Sequence, residues 1–258
     1  MSLTHVFVAV AALAAAVAIA QDAPPAPPAF PEPVTFHPRG DDTITLEGVV
    51  RAAVQAPAKA PGVVVCHPHP LYGGTMENPV VRALDDTFAA LGATTVRFNF
   101  RGVGKSGGKF DGKGGEVQDV LGALDLLLLR PEVDPKRVAI VGYSFGSWTG
   151  LQAAVQEQVR LRFFAGVGFP IAPDTVDFGP ADFIRPATLP MLFVSGDQDG
   201  ISSLDKIDRL LTLMAKKKHA KLVALPGVDH FFGTPESLAA MQEAIRAFAA
   251  PLLSPPGQ

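Results

Sequence analysis

The chain has 258 residues, of which 48% are hydrophobic and 18% charged, with a formal net charge of −3; this suits one domain with a sizeable core and argues against disorder. No dense basic face accompanies that charge: the one compact run, Lys216-Lys217-Lys218, reads as a solvated helix end, so nucleic acid is not expected as a partner. Cys66 is the single cysteine, which excludes an internal disulfide and a four-cysteine zinc site; behind Val63-Val64-Val65 it reads as a buried, inert thiol.

His5 to Ala20 is apolar and alanine-rich and ends Ala18-Ile19-Ala20 before Gln21, the outline of a secretory signal peptide, although no Lys or Arg precedes Arg39. The expectation is a leader over residues 1–20 cleaved after Ala20, a Pro/Ala-rich linker over 21–33, a single domain over 34–250 and a flexible tail over 251–258. Export to the periplasm or medium follows, with no stable membrane association once the leader is gone.

From Val34 onward, strand-like and helix-like segments alternate. Val34 to His37 and the β-rich Thr43 to Val54 suggest an antiparallel start. Gly62 to Cys66 is a short apolar run, as a strand buried on both faces should be. Asn78 to Leu91 places Val81, Leu84, Phe88 and Leu91 on one helical face. Thr94 to Phe100 is the next strand. Gly115 to Arg130 is a helix with Val117, Val120, Leu121, Leu124 and Leu128 inward and Pro131 as its stop. Then come strand Val138 to Gly142, helix Phe145 to Gln158, strands Phe163 to Gly168 and Met191 to Ser195, helix Ser203 to Lys217, strand Lys221 to Leu225 and helix Pro235 to Ala249. Repeated strand-then-helix units predict an α/β fold: a mostly parallel sheet with helices on both faces and no large cap.

Gly142-Tyr143-Ser144-Phe145-Gly146 fits G-x-S-x-G. The pattern alone is weak, but a strand ends before it and a helix begins after it, which is the setting that holds a serine out as a nucleophile. A serine hydroxyl needs a base and the base needs an orienting group. Only His219 and His230 follow Ser144. His219 lies between a lysine-rich helix end and a strand and reads as solvated; His230, in the loop after the strand at Lys221 to Leu225, is the expected base. The acid should come from Gly196-Asp197-Gln198-Asp199-Gly200, where Asp197 and Asp199 both fit by spacing; Asp229 is the bland alternative. The oxyanion needs two backbone N–H groups. One is assigned to Phe145, and the other to the loop after Cys66, where His69, Leu71 and Tyr72 are the open candidates.

In order along the chain, HPHPLYGGTMENPVV, RFNFRGVGKSGGKFDGKGGE, GYSFG, SGDQD and GVDHFF resemble the α/β-hydrolase superfamily. They are similar in particular to small bacterial hydrolases and esterases of the dienelactone-hydrolase and prolyl-oligopeptidase-like branch. The resemblance spans about Val34 to Ala250. It implies a Ser-Asp-His triad of Ser144, Asp199 and His230, with Asp199 chosen over Asp197, no cofactor and a small ester as substrate. The Val-Pro usual after the acid turn is replaced by Gly200-Ile201-Ser202-Ser203.

Four rivals stand beside this reading. A metal hydrolase would use His67 and His69, but no Asp follows two residues on, where Leu71 stands. Gly104-Lys105-Ser106 echoes a phosphate loop, but Asn99 stands where its first glycine should be. A serine peptidase or amidase would use the same triad, and a binding scaffold would leave it idle. A short Phe169 to Leu189 connection predicts an open pocket lined by Leu71, Tyr72, Phe145, Phe169, Phe178 and Phe183.

Overall fold

The structure, a computed structural model, describes residues 31–53, 59–171, 181–214, 216 and 219–255. The expected leader, most of the linker, Phe178 and Lys217-Lys218 lie outside the described residues.

Among the described residues, eight strands form one sheet: β1 (Glu32–Phe36), β2 (Leu46–Arg51), β3 (Ala60–Cys66), β4 (Thr94–Phe98), β5 (Val133–Tyr143), β6 (Leu161–Val167), β7 (Met191–Gly196) and β8 (Ala220–Leu225). Their order is β1-β2-β4-β3-β5-β6-β7-β8. β1 and β2 pair antiparallel and β2 meets β4 antiparallel; from β4 onward every pairing is parallel. Among the described residues the α-helices are α1 (Pro79–Ala90), α2 (Gly115–Leu128), α3 (Phe145–Gln156), α4 (Leu204–Thr212) and α5 (Pro235–Leu253).

Period-two alternation sends the central strands' side chains to two cores. Val64 and Cys66 of β3 and Val138 and Ile140 of β5 join a cluster closed by α2, α3 and α4. Val63, Val65, Ala139 and Val141 join a second cluster closed by α1 and α5. These side chains are fully buried, each worth about 1.5–3 kcal/mol for the larger ones. Burial on both faces is why these strands read as unbroken apolar runs.

Three boundaries differ by four residues or more from the sequence reading. β5 begins five residues early, because Val133 pairs with Ala60 across a register shift that accommodates Pro135. α4 stops at Thr212, where the hydroxyl turns back to Arg209 O at 2.6 Å. α5 runs through Pro251 to Leu253, whose side chain is buried, so the domain passes the boundary expected at residue 250 and residues 251–253 are helix rather than tail.

Candidate active site

β5 ends at Tyr143 and α3 starts at Phe145, leaving Ser144 as the whole connection. Its backbone sits at φ 52, ψ −123, a region that an L-residue occupies only under constraint. Ser144 N–H donates to Val167 O of β6 at 2.9 Å, and Ser144 O accepts from Ser147 N and Trp148 N as α3 begins. The flanking glycines make this tightness feasible. A Cβ on Gly142 would overlap Gly146 O, and one on Gly146 would overlap the carbonyl oxygens of Cys66 and His67. The turn is therefore pressed against the carboxyl end of β3, where the His67–Tyr72 loop leaves the sheet.

Ser144 Oγ–H donates to His230 Nε2 at 3.0 Å, and His230 Nδ1–H donates to Asp199 Oδ2 at 2.8 Å. A carboxylate only accepts, so the proton belongs on Nδ1 and the lone pair on Nε2 faces the hydroxyl. The His230 and Asp199 side chains are both buried. Asp199 Oδ1 also accepts from Ile201 N and Ser202 N, each at 2.8 Å. Burial alone would raise this carboxyl, but the His230 contact and the two amides together hold it below the usual carboxylate range. Gly200-Ile201-Ser202 thus shapes the acid loop without the Val-Pro pair. Asp197 is exposed and accepts from Gly227 N at 2.7 Å; Asp229 accepts from Phe231 N at 2.9 Å. Neither reaches the imidazole. His219 contacts Thr188 O on the surface.

Two residues that help to place His230 were not picked out from sequence. Tyr143 O–H donates to His230 O at 2.9 Å. Gly168, at φ +53 just past β6, leaves the space the ring needs: a Cβ there would lie 3.1 Å from His230 Cε1 and 3.2 Å from Nδ1. A glycine directly after the strand beside β5 was the available signal.

In the loop after β3, Leu71 N donates to His69 Nδ1 and Tyr72 N to His69 O, both at 3.1 Å. Two of the three oxyanion candidates therefore have their N–H groups engaged in the loop's own turn. His67 is buried, and burial brings it down to about 4. Its Nε2 accepts from Phe100 N at 3.0 Å, so its proton is on Nδ1, donated to Pro68 O at 2.6 Å. Both nitrogens are in use within the loop, and His67 has no lone pair to give a metal ion. Among the described residues no group of three or more His, Cys, Asp and Glu side chains gathers around one point. The loop resembling a phosphate cradle is tied down as well: Lys105 N donates to Glu47 Oε1, Gly107 N to Thr45 O, and Ser106 Oγ to Asn99 O.

A cavity of about 350 Å³ lies beside the turn, between the amino ends of α2 and α3. His69, Phe110, Phe145 and Trp148 form its aromatic wall; Lys113, Glu116, Thr149 and Gln152 are its polar groups. It reaches the turn through Phe145 and His69, whose rings lie 4.9 Å apart. Phe169 and Phe183 instead pack on Trp148 from the core side, at 5.5 and 5.4 Å. Of the pocket aromatics expected there, Phe169 is a core residue and the half-buried Phe183 packs against that core. Phe145, Trp148, Thr149 and Gln152 share one helical face, a spacing that the sequence does display. Glu116 is buried on this wall and accepts from Asp111 N at 2.9 Å. Its burial, with the Asp111 charge beside it, pushes its carboxyl up to about 7.

A model of the dienelactone hydrolase family matches residues 107–250, and one of the X-Pro dipeptidyl-peptidase (S15) family matches residues 43–167. The chain is 36% identical over 185 residues to an uncharacterized protein of Rickettsia prowazekii, covering 70% of this chain and 76% of that one. An α/β serine hydrolase homologue from Coxiella burnetii superposes with a TM-score of 0.70 at 29% identity, over 84% of this chain and 96% of its own. An α/β serine hydrolase without a lid from Xanthomonas campestris superposes with a TM-score of 0.71 at 26% identity, over 90% of this chain and all of its own. With its eight-stranded, mostly parallel sheet, the chain is a hydrolase of the α/β serine type and belongs to the dienelactone hydrolase family.

Proposed function

We propose that this protein is a serine carboxylesterase that hydrolyses small esters through Ser144, His230 and Asp199. The observation that carries the reading is the continuous line of hydrogen bonds, Ser144 Oγ to His230 Nε2 at 3.0 Å and His230 Nδ1 to Asp199 Oδ2 at 2.8 Å. Ser144 Oγ attacks the ester carbonyl while its proton passes to Nε2. The imidazolium so formed is held by Asp199, and Nε2 returns the proton to the leaving alkoxide oxygen as the C–O bond breaks. A water then gives a proton to Nε2 as its oxygen attacks the acyl-enzyme; the Ser144 Oγ–acyl bond breaks, Oγ takes the proton back from Nε2, and the acid leaves.

The oxyanion is assigned to Phe145 N–H, at the start of α3, and to His69 N–H. The second choice is supported by elimination, since Leu71 and Tyr72 spend their N–H groups on His69 itself. The cavity against Phe145 is the nearest space for the group attached to the carbonyl. The S15 match supports an amide-cleaving alternative with the same machinery. Nothing in the proposal calls for a metal ion or cofactor.

The test is hydrolysis of p-nitrophenyl acetate and butanoate, beside Gly-Pro-p-nitroanilide, by the parent protein and by Ser144→Ala. Ester turnover that disappears in a folded Ser144→Ala variant supports the reading. Anilide turnover exceeding ester turnover makes the protein a peptidase. Ester turnover that survives the substitution overturns the mechanism.

A further inference from the structure

Among the described residues, six large hydrophobic side chains stand exposed: Leu71, Tyr72, Leu129, Val159, Ile201 and Phe231. Leu129 and Val159 follow the carboxyl ends of α2 and α3. Those helices run back against the parallel strands, so both residues lie at the amino edge of the sheet, away from Ser144. The other four sit in the three loops that carry the candidate site, with 70%, 77%, 40% and 69% of their surface exposed for Leu71, Tyr72, Ile201 and Phe231.

Each is tethered to a site residue. Leu71 N–H donates to His69 Nδ1, and the Tyr72 ring lies 4.8 Å from the His69 ring. Ile201 N–H donates to Asp199 Oδ1 at 2.8 Å, and the Phe231 ring lies 5.8 Å from the His230 ring. None belongs to either core cluster. Folding gains nothing from leaving these four in water, and exposed apolar groups on the loops that carry a candidate site mark a binding surface.

We infer that Leu71, Tyr72, Ile201 and Phe231 form an apolar rim that takes the alkyl chain of a medium-length ester. The inference rests on the esterase reading and adds the substrate class to it. A chain attached to a carbonyl over Ser144 has two ways to go. The cavity has an aromatic wall, but Lys113 and Gln152 also line it, polar groups that an alkyl chain would strip of water. Each rim residue contacts a site residue, and their apolar side chains carry no such cost. The chain can belong to the acyl or to the alcohol side of the ester, and two substrate series separate them.

The experiment measures kcat/KM for p-nitrophenyl alkanoates from butanoate to decanoate and for alkyl acetates from butyl to decyl, the latter by acetate release. A fully buried methylene is worth about 0.8 kcal/mol, or about fourfold; contact on one side halves that energy to about twofold. In one series the parent should therefore gain about 50-fold over six methylenes. A variant combining Leu71→Ser, Tyr72→Ser, Ile201→Ser and Phe231→Ser should gain less than about fivefold in that series, the difference falling in KM. The two half-variants, Leu71→Ser with Tyr72→Ser and Ile201→Ser with Phe231→Ser, keep the test available if the fourfold variant does not fold, and each should flatten the gradient in part. A flat profile in both series for the parent, or a gradient kept in every variant, overturns the rim. If the rim is instead covered by a second copy of the chain, sedimentation shows a dimer and the profiles are flat. Absence of any ester turnover in the parent overturns the esterase reading and the rim with it, whereas turnover with a flat profile overturns the rim alone.

Discussion

Asp199→Asn separates the acid's role from its shape. Asp199 Oδ1 accepts two backbone amides, Ile201 N and Ser202 N, each at 2.8 Å. An asparagine in the same place must keep its carbonyl oxygen on those amides, because its NH₂ group cannot accept from them. The NH₂ is then left facing His230 Nδ1 at the 2.8 Å now spanned by Nδ1–H and Oδ2. Two donors cannot share that contact, so the imidazole takes the other tautomer, with its proton on Nε2 pointing at Ser144 Oγ. The base then has no lone pair for the hydroxyl. The expected loss is about 10⁴-fold in kcat, or about 5.5 kcal/mol of transition-state stabilisation, as for an acid that fixes a tautomer. The assay is p-nitrophenyl butanoate hydrolysis at neutral pH, with thermal unfolding alongside. Asp197→Asn, in the exposed bend two residues earlier, should keep kcat within about threefold, the small effect usual for an exposed side chain away from the chemistry. A loss smaller than about 100-fold in Asp199→Asn, well short of what a wrong tautomer costs, or an equal loss in both variants, would refute the assignment.

Gly168→Ala places a Cβ 3.1 Å from His230 Cε1 at a backbone φ of +53; kcat should fall about 10- to 100-fold with about 1 kcal/mol of stability, and an unaltered kcat would show that the ring does not depend on this space. Gly146→Ala drives a Cβ into the carbonyl oxygens of Cys66 and His67, backbone that has nowhere to go, so a loss of at least about 3 kcal/mol is expected in urea unfolding and a normal midpoint would contradict the packing. Glu116 is raised from 4.5 to about 7, so its contribution to stability is complete below the lower value and is lost as pH rises through the higher one. The parent should lose up to about 3 kcal/mol between pH 5 and 8.5 from this group, whereas Glu116→Gln, which still accepts from Asp111 N and has no proton to release, should lose that much less; equal pH slopes in the two proteins would contradict the buried neutral carboxyl.

What the sequence displayed was set by local rules, and what it concealed was set by partners distant along the chain. Val63-Val64-Val65 and Val138 to Gly142 could be read as central strands because both their faces are buried, and Asn78 before Pro79 marks the start of α1 in the residues themselves, where its side chain accepts from Val80 N. The start of β5 was not legible, because Val133 is a strand residue only through its pairing with Ala60. Spacing alone left Asp197 and Asp199 equal; the difference lies in which carboxylate the loop's amides turn toward His230, a matter of φ and ψ in four residues. Likewise Phe169 and Phe183 read as pocket and pack in or against the core, because aromatic residues carry no mark of which side of Trp148 they will occupy. Phe110 and Glu116 reach the cavity wall from a loop and helix start that precede Ser144 by about thirty residues.

The pentapeptide around Ser144 means something different in this fold than it does as a pattern. A serine at φ 52 stores strain of about 1–3 kcal/mol, which a free turn would relax by moving to an ordinary conformation. Here three constraints prevent that. Ser144 N–H is fixed to β6 through Val167 O, Ser144 O receives the first amides of α3, and the two glycines allow β3, β5 and α3 to close to backbone contact around the residue. Each constraint comes from a different element, so the strained geometry exists only once the sheet has assembled. That explains why G-x-S-x-G carries little weight by itself and much more between an apolar strand and a helix. The first residue after the turn, Phe145, then brings its ring against His69 and Phe100 and its backbone to the head of α3. The same packing that strains the serine therefore also fixes the helix start and the loop assigned to the oxyanion, and a substitution that relaxed Ser144 would loosen them together.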